Sequence, residues 1–106
     1  MTTVTYFEEN NEISIEVKGH CGYGVEGSDI VCSAISMLAQ TLLAYLNADS
    51  EDFKYSIKTG NVWAYAKGDN VRKALDVIMC GYHLLSENYP DNVRICRGCS
   101  ILKNPY

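Results

Sequence analysis

Two hairpin-like segments, each followed by a long helical pattern, restrict the fold of this chain more than any other feature. Apolar residues at every second position predict strands, and apolar residues at every third or fourth position predict helices. In chain order the predicted elements are strands 3–7 and 13–17, helix 30–47, strands 53–57 and 62–66, helix 71–88 and strand 93–95. The order β-β-α-β-β-α-β predicts an α+β domain in which a mixed, mainly antiparallel sheet carries both helices on one face.

Length and charge exclude several classes of function. The 106 residues predict a single domain, and the formal net charge is −4, from 9 basic and 13 acidic residues. Because the cationic side chains are not clustered, the sequence predicts no nucleic-acid binding. Polar residues interrupt the long apolar stretch 30–48, which favours a packed helix over a membrane span, and the first residues do not resemble a secretory signal. We therefore expect a cytoplasmic protein without membrane contact.

The sequence contains five cysteines, Cys21, Cys32, Cys80, Cys96 and Cys99. An odd number of cysteines, in a chain expected to occupy a reducing compartment, argues against a disulfide framework. Most free cysteines in proteins are small buried hydrophobes. The informative question is therefore which thiol lies where a thiolate would be stabilised.

A glycine-rich segment, 19–27, joins the second predicted strand to the first predicted helix. It contains four of the eight glycines of the chain, Gly19, Gly22, Gly24 and Gly27. Glycine at this density disfavours regular structure, so the sequence predicts a mobile surface loop, and such loops often carry function.

Cys32 and His20 form the best candidate for a catalytic pair. Ser28 and Asp29 are both candidate N-caps of the first helix. If Asp29 is the cap, Cys32 is the third residue of the helix, where amide groups and the helix dipole favour a thiolate. His20 lies in the glycine-rich segment and could take the thiol proton and later return a proton to a leaving amine. The expected buried stripe of this helix, with Cys32 at its edge, is Ile30, Ala34, Leu38, Leu42 and Tyr45.

The spacing of these residues also fits a plainer interpretation. A loop histidine and a helical cysteine are usually unrelated, in which case His20 is a surface residue and Cys32 a structural one. Asp29 is more easily explained as a helix cap than as the third member of a catalytic triad.

Two motifs in register resemble the signature of the ribosomal-processing cysteine protease family. They are Gly-His-Cys-Gly-Tyr-Gly at 19–24 and Gly-Ser-Asp-Ile-Val-Cys-Ser-Ala-Ile-Ser at 27–36. Members of that family carry a Gly-His-Ala opening, a short glycine-containing loop and a helix that starts Asp-Ile-Val-Cys-Ala-Ala. The resemblance extends along most of the chain, through the order of elements and the Tyr-Pro-Asp-x-Val sequence at 89–93.

The resemblance implies a cysteine endopeptidase in which His20 matches the family's histidine and Cys32 its nucleophile. Family enzymes remove an N-terminal extension from large-subunit ribosomal protein number twenty-seven, cutting after a short apolar and aromatic segment. They form homodimers, and we expect a homodimer here, with no cofactor and no metal in the active site. This chain departs from the family at Cys21, where alanine is usual, and in a C-terminal tail with Cys96 and Cys99. A phage-related homologue would process a phage structural protein instead.

Two other functions stay open at this point. Cys80-x-x-His83 and Cys96-Arg-Gly-Cys99 have the spacing of a four-ligand zinc site, although a domain of this length does not need a metal in order to fold. A dimeric module that binds a peptide without cutting it is the other alternative to the protease.

Overall fold

The computed structural model describes residues 1–19 and 30–104. All seven predicted elements are present in the predicted order, and the observed strands are slightly longer than the predicted ones. The elements are β1 (Thr2–Glu9), β2 (Glu12–Gly19), α1 (Ile30–Ala48), β3 (Asp52–Lys58), β4 (Asn61–Lys67), α2 (Val71–Asn88) and β5 (Val93–Arg97).

The five strands form one mixed sheet in the order β3-β4-β2-β1-β5. The β1–β5 pair is parallel, and the other three pairs are antiparallel, which confirms the predicted sheet. The tight β3–β4 turn contains Gly60 with a φ of 76°, a left-handed conformation that glycine adopts without strain. β3 is the edge strand next to α1, and this placement determines where the candidate site lies.

Both helices pack on the same face of the sheet, as predicted. Strand residues on this face alternate with residues on the opposite face, so every second residue enters the core. The fully buried side chains of the core come from three central strands, β5 and both helices. The largest of them are Tyr82, Ile13, Ile15, Leu42, Leu46, Leu75, Val4, Val31, Val71 and Val93.

The predicted buried stripe of α1 is wrong, because the helix is rotated by about one residue. The buried positions are Val31, Ile35, Ala39, Leu42, Leu43 and Leu46. Of the predicted stripe only Leu42 is fully buried, whereas Ile30 is 62% exposed and Tyr45 is 38% exposed. Both stripes are apolar and both have helical spacing, so periodicity alone does not distinguish them.

By length and composition alone, α1 also fits a membrane-crossing helix. In this structure its buried side chains complete the core against the sheet and α2. That arrangement is the one the sequence favours for this helix.

A buried tyrosine joins the two helices. Tyr82 on α2 is 0% exposed, and its hydroxyl donates a hydrogen bond of 3.0 Å to the carbonyl of Ile35 on α1. One residue earlier, Gly81 lets Leu38 approach closely, since a Cβ at this position would lie 2.7 Å from Leu38 Cδ2. The two contacts fix α2 against the half of α1 that carries Cys32.

The opposite face of the sheet is partly covered by the C-terminal segment 98–104. The indole N–H of Trp63 donates to the carbonyl of Leu102, and the N–H of Leu102 donates to the hydroxyl of Ser14, both at 2.8 Å. Trp63 and Ser14 are consequently almost fully buried although they lie on the face without helices.

We predict that Tyr82→Phe lowers the free energy of unfolding by about 1 kcal/mol, because it removes a buried hydrogen bond. Tyr45→Phe is the matched control, since it removes a bond of 2.7 Å from the exposed Tyr45 hydroxyl to Asp49. The control should change stability by less than about 0.5 kcal/mol. Urea unfolding measures both variants, and equal effects would contradict a special role for the buried bond.

Candidate active site

Cys32 is the third residue of α1 and lies in a cleft at the edge of the core. Its side chain is half-buried, and none of the four described cysteines forms a disulfide. The amide groups of a helix's first turn point along the axis and stabilise a nearby negative charge. The structure therefore places the Cys32 thiol in the first turn of α1, at the edge of the cleft.

The cleft around Cys32 is about 320 Å³ in volume and is enclosed by three parts of the chain. α1 forms one wall through Cys32 and Ser36. The ends of β1 and β2 contribute Thr2 and Gly19, and the start of β4 contributes Asn61. The cleft thus brings together the Cys32 thiol, the ends of two strands and the polar side chain of Asn61.

Gly19 is part of β2 rather than of a loop, which corrects the prediction for this residue. It pairs with Thr2 in the β1–β2 ladder, and its N–H donates a hydrogen bond of 2.8 Å to the carbonyl of Gly60. Its φ is 104°, and a Cβ would lie 2.5 Å from the carbonyl oxygen of Met1. Any larger residue would force the strands apart at the wall of the cleft.

The remaining predicted site residues lie outside the described residues. They are the catalytic candidate His20, the supporting candidate Asp29, the loop glycines Gly22, Gly24 and Gly27, and Cys21. The structure does describe the residues that flank this segment, Gly19 and Ile30. Gly19 lines the cleft and Ile30 opens the helix that carries Cys32.

Asn61 is a cleft residue that the sequence analysis missed. The carbonyl oxygen of its side chain is buried and has no hydrogen-bond partner among residues 1–19 and 30–104. An unmet buried acceptor costs about 1–3 kcal/mol, so such a group is uncommon without a use. In the sequence Asn61 follows Gly60, where asparagine is an ordinary turn residue, and nothing there separates a turn role from a role in the cleft.

A second cavity continues the cleft along α1, and the sequence analysis missed it as well. It measures about 420 Å³ and shares Gln40, Leu43 and Ile57 with the first cavity. Together the two cavities form a groove between α1 and the edge strand β3. On its strand side, Tyr55 and Ile57 are 57% and 60% exposed.

The structure does not bring the four residues of the zinc alternative together. Cys80 and His83 are exposed on α2, whereas Cys96 alternates with Ile95, which packs on the helix side, and so points to the other face of the sheet. Within residues 1–19 and 30–104, no group of three or more His, Cys, Asp or Glu side chains could hold a metal ion. The zinc prediction is wrong for these residues.

Comparisons with solved structures identify the fold. The chain is similar to an essential ribosomal processing protease Prp from S. aureus in complex with a covalently linked product peptide, with a TM-score of 0.79 and 20% identity. The match covers 92% of this chain and 100% of that chain. The same protease with a substrate peptide matches at a TM-score of 0.69 and 18% identity, with the same two coverages.

Another similar structure is SMU.848 from Streptococcus mutans, with a TM-score of 0.66 and 24% identity. That match covers 92% of this chain and 96% of the other. No curated protein matches the chain. At these identities the structural matches show a shared fold.

The family comparison is more specific than the structural ones. The model of the family described as cysteine protease Prp matches residues 1–94, which include β1 to α2, the cleft and Cys32. The chain belongs to the Prp family of cysteine proteases.

Proposed function

We propose that this chain is an endopeptidase that removes the N-terminal extension of large-subunit ribosomal protein number twenty-seven, with Cys32 as nucleophile and His20 as general base and acid. The observation that carries the proposal is the position of Cys32. Its half-buried thiol lies at the start of α1 in a cleft whose wall includes Gly19, and His20 follows Gly19 directly in the chain.

The proposed reaction follows from the groups at the cleft. His20 accepts the proton of the Cys32 thiol, and the thiolate attacks the scissile carbonyl carbon to form a tetrahedral intermediate. Backbone amides at the start of α1 are suited to stabilise its oxyanion. When the C–N bond breaks, His20 returns the proton to the leaving amine. Water, deprotonated by His20, then hydrolyses the thioester and restores the thiol.

The segment between Gly19 and Ile30 has two predicted roles in this mechanism. Its glycines Gly22, Gly24 and Gly27 would let it close over the substrate and carry His20 to the thiol. Asp29 would cap α1 or support His20 from within the same segment.

The groove between α1 and β3 supports a peptide substrate. β3 is an edge strand, and an extended peptide can pair with such an edge while its side chains enter neighbouring pockets. The exposed Tyr55 and Ile57 give this groove an apolar strand wall. The net charge of −4 would also favour encounter with a basic ribosomal protein, an effect that salt weakens. The S. aureus protease has been solved with a substrate peptide.

We also propose that the protein is a cytoplasmic homodimer. The outer faces of α1 and α2 expose apolar side chains at helical spacing, Met37 and Ile30 on α1 and Val77 and Leu84 on α2, each about 60% exposed. A groove of about 260 Å³ separates the two helices at Tyr45 and Val77. A second copy would remove this surface from water, which is favourable for apolar area.

We predict that Cys32→Ala abolishes cleavage of the untrimmed ribosomal protein from the host. The matched control is Cys99→Ala, since Cys99 is an exposed thiol in the C-terminal segment, and it should cleave like the wild type. Cleavage is followed by mass spectrometry of the intact protein. Full activity of Cys32→Ala would rule out the mechanism, whereas Cys32-dependent cleavage of a phage structural protein alone would change the proposed substrate.

Thiol reactivity separates the protease from a module that only binds peptides. We predict that iodoacetamide at neutral pH alkylates Cys32 faster than the other four thiols, Cys21, Cys80, Cys96 and Cys99, although Cys99 is more exposed. The preference should disappear in His20→Ala, because the imidazole generates the thiolate. Peptide mapping measures each rate. Tight peptide binding with an unreactive Cys32 would favour the module that does not cut.

Dimerisation is tested by placing a charge on the outer helix face. We predict that Val77→Glu converts the dimer into a monomer in sedimentation experiments, because burying an unpaired carboxylate is costly. Thr59→Glu, in the exposed β3–β4 turn, is the control and should remain a dimer. A monomeric wild type, or a dimeric Val77→Glu, would contradict the proposed interface.

A further inference from the structure

The groove along α1 does not end at Cys32, and its second cavity has a separate composition. We call this cavity the distal pocket; its lining is Gln40, Leu43, Ala44, Asn47, Phe53, Tyr55 and Ile57. None of these residues is charged. We propose that the distal pocket selects substrates by binding one large, uncharged apolar side chain located roughly four to six residues from the scissile bond. The proposal rests on the proposed protease function.

The distance follows from helix geometry. α1 rises about 1.5 Å per residue, so Gln40, at the near rim of the distal pocket, lies about 12 Å beyond Cys32 along the axis. Leu43 lies about 16 Å beyond Cys32, and Asn47 about 22 Å. An extended peptide advances about 3.3 Å per residue, so a side chain over the pocket belongs roughly four to six residues from the bond at Cys32.

The wall of the groove that β3 forms lies opposite the wall that α1 forms. Phe53, Tyr55 and Ile57 occupy alternate positions of β3 and therefore share the face that looks towards α1. Ile57 borders both cavities, whereas Phe53 and Tyr55 border the distal pocket alone. In chain direction, α1 runs away from the Cys32 cleft and β3 runs towards it. Both elements therefore line the groove over its whole length.

The chemistry of the pocket specifies its ligand. The rings of Phe53 and Tyr55 are stacked with centroids 5.3 Å apart, and Leu43 is buried opposite them on α1. A flat aromatic or branched aliphatic side chain gains contact with these groups. A charged side chain would lose water without finding a partner among the lining residues. The lining also includes Gln40 and Asn47, whose side-chain amides suit the polar backbone of an extended peptide.

The continuity of the pocket with the Cys32 cleft identifies the occupant as the substrate itself. Gln40, Leu43 and Ile57 line both cavities, so a chain leaving the cleft along β3 enters the distal pocket directly. Pairing of its backbone with the open edge of β3 would send alternate side chains towards α1. One side chain in this series then meets the distal pocket.

The test uses synthetic peptides that extend eight residues on each side of the cleavage site of the host ribosomal protein. Each residue is replaced in turn by alanine, and kcat and KM are measured with the wild type. Replacement of one apolar residue four to six positions from the site should lower kcat/KM about tenfold or more, chiefly by raising KM, because the contact is equal in the ground and transition states.

Variants of Tyr55 test whether the distal pocket causes the preference for this apolar residue. In Tyr55→Ala, kcat/KM for the parent peptide should fall by about the same factor. The variant should then have the same kcat/KM for the parent peptide and for the alanine peptide. Tyr55→Phe keeps the ring and should retain the preference for the parent peptide over the alanine peptide. Because Tyr55 is 57% exposed, neither variant should disturb folding, and urea unfolding checks this.

Failure of this inference is distinguishable from failure of the protease mechanism. Binding of the same peptides to Cys32→Ala, measured by fluorescence anisotropy, reports the pocket without catalysis. Cleavage that depends on Cys32 but is insensitive to every residue beyond the third would overturn the distal pocket alone. The distal pocket would also be overturned if Tyr55→Ala kept the preference for an apolar residue four to six positions from the scissile bond. Cleavage by Cys32→Ala would overturn the mechanism on which the pocket rests.

Discussion

The packing of α1 on the sheet determines where Cys32 lies. Val31 and Ile35 are both buried in the core, and Cys32, about 100° around the helix from Val31, falls at the edge of the buried stripe. If the stripe through Ile30 and Ala34 were buried instead, the helix would be rotated by about one residue and the thiol would face another direction. Burial of Val31 and Ile35 therefore directs the thiol into the cleft beside β2 and the β3–β4 turn.

Much of the fold could be predicted from the sequence because hairpins and helices leave local signals. The order of elements, the bounds of α2 and the turn at Gly60 all follow from periodicity and glycine placement. The rotation of α1 could not be predicted in this way, since two stripes of similar apolarity wind around the same helix. Tertiary contacts decide between them, through Tyr82 and the apolar faces of β2 and β4.

The candidate site also has a part that the sequence could predict and a part that it could not. Cys32 could be selected as a candidate from the sequence because a cysteine at a helix start has a chemical meaning that is independent of the rest of the fold. Asn61 and Tyr55 were missed, because each is an ordinary hairpin residue until the hairpin is placed against α1. The zinc alternative failed for the reverse reason: its spacing along the chain suits a metal, but α2 and β5 place its residues on different faces of the sheet.

The two faces of the sheet then have different roles. On the face without helices, segment 98–104 satisfies the indole of Trp63 and the hydroxyl of Ser14, two polar groups that would otherwise require water or a ligand. Segment 98–104 lies beyond residues 1–94, the part of the chain that matches the Prp family model. On the helix face, the exposed apolar side chains Tyr55 and Ile57 lie at the edge strand beside the Cys32 cleft. Exposed apolar surface at a strand edge invites pairing, and here this surface lies next to the cleft that contains the Cys32 thiol.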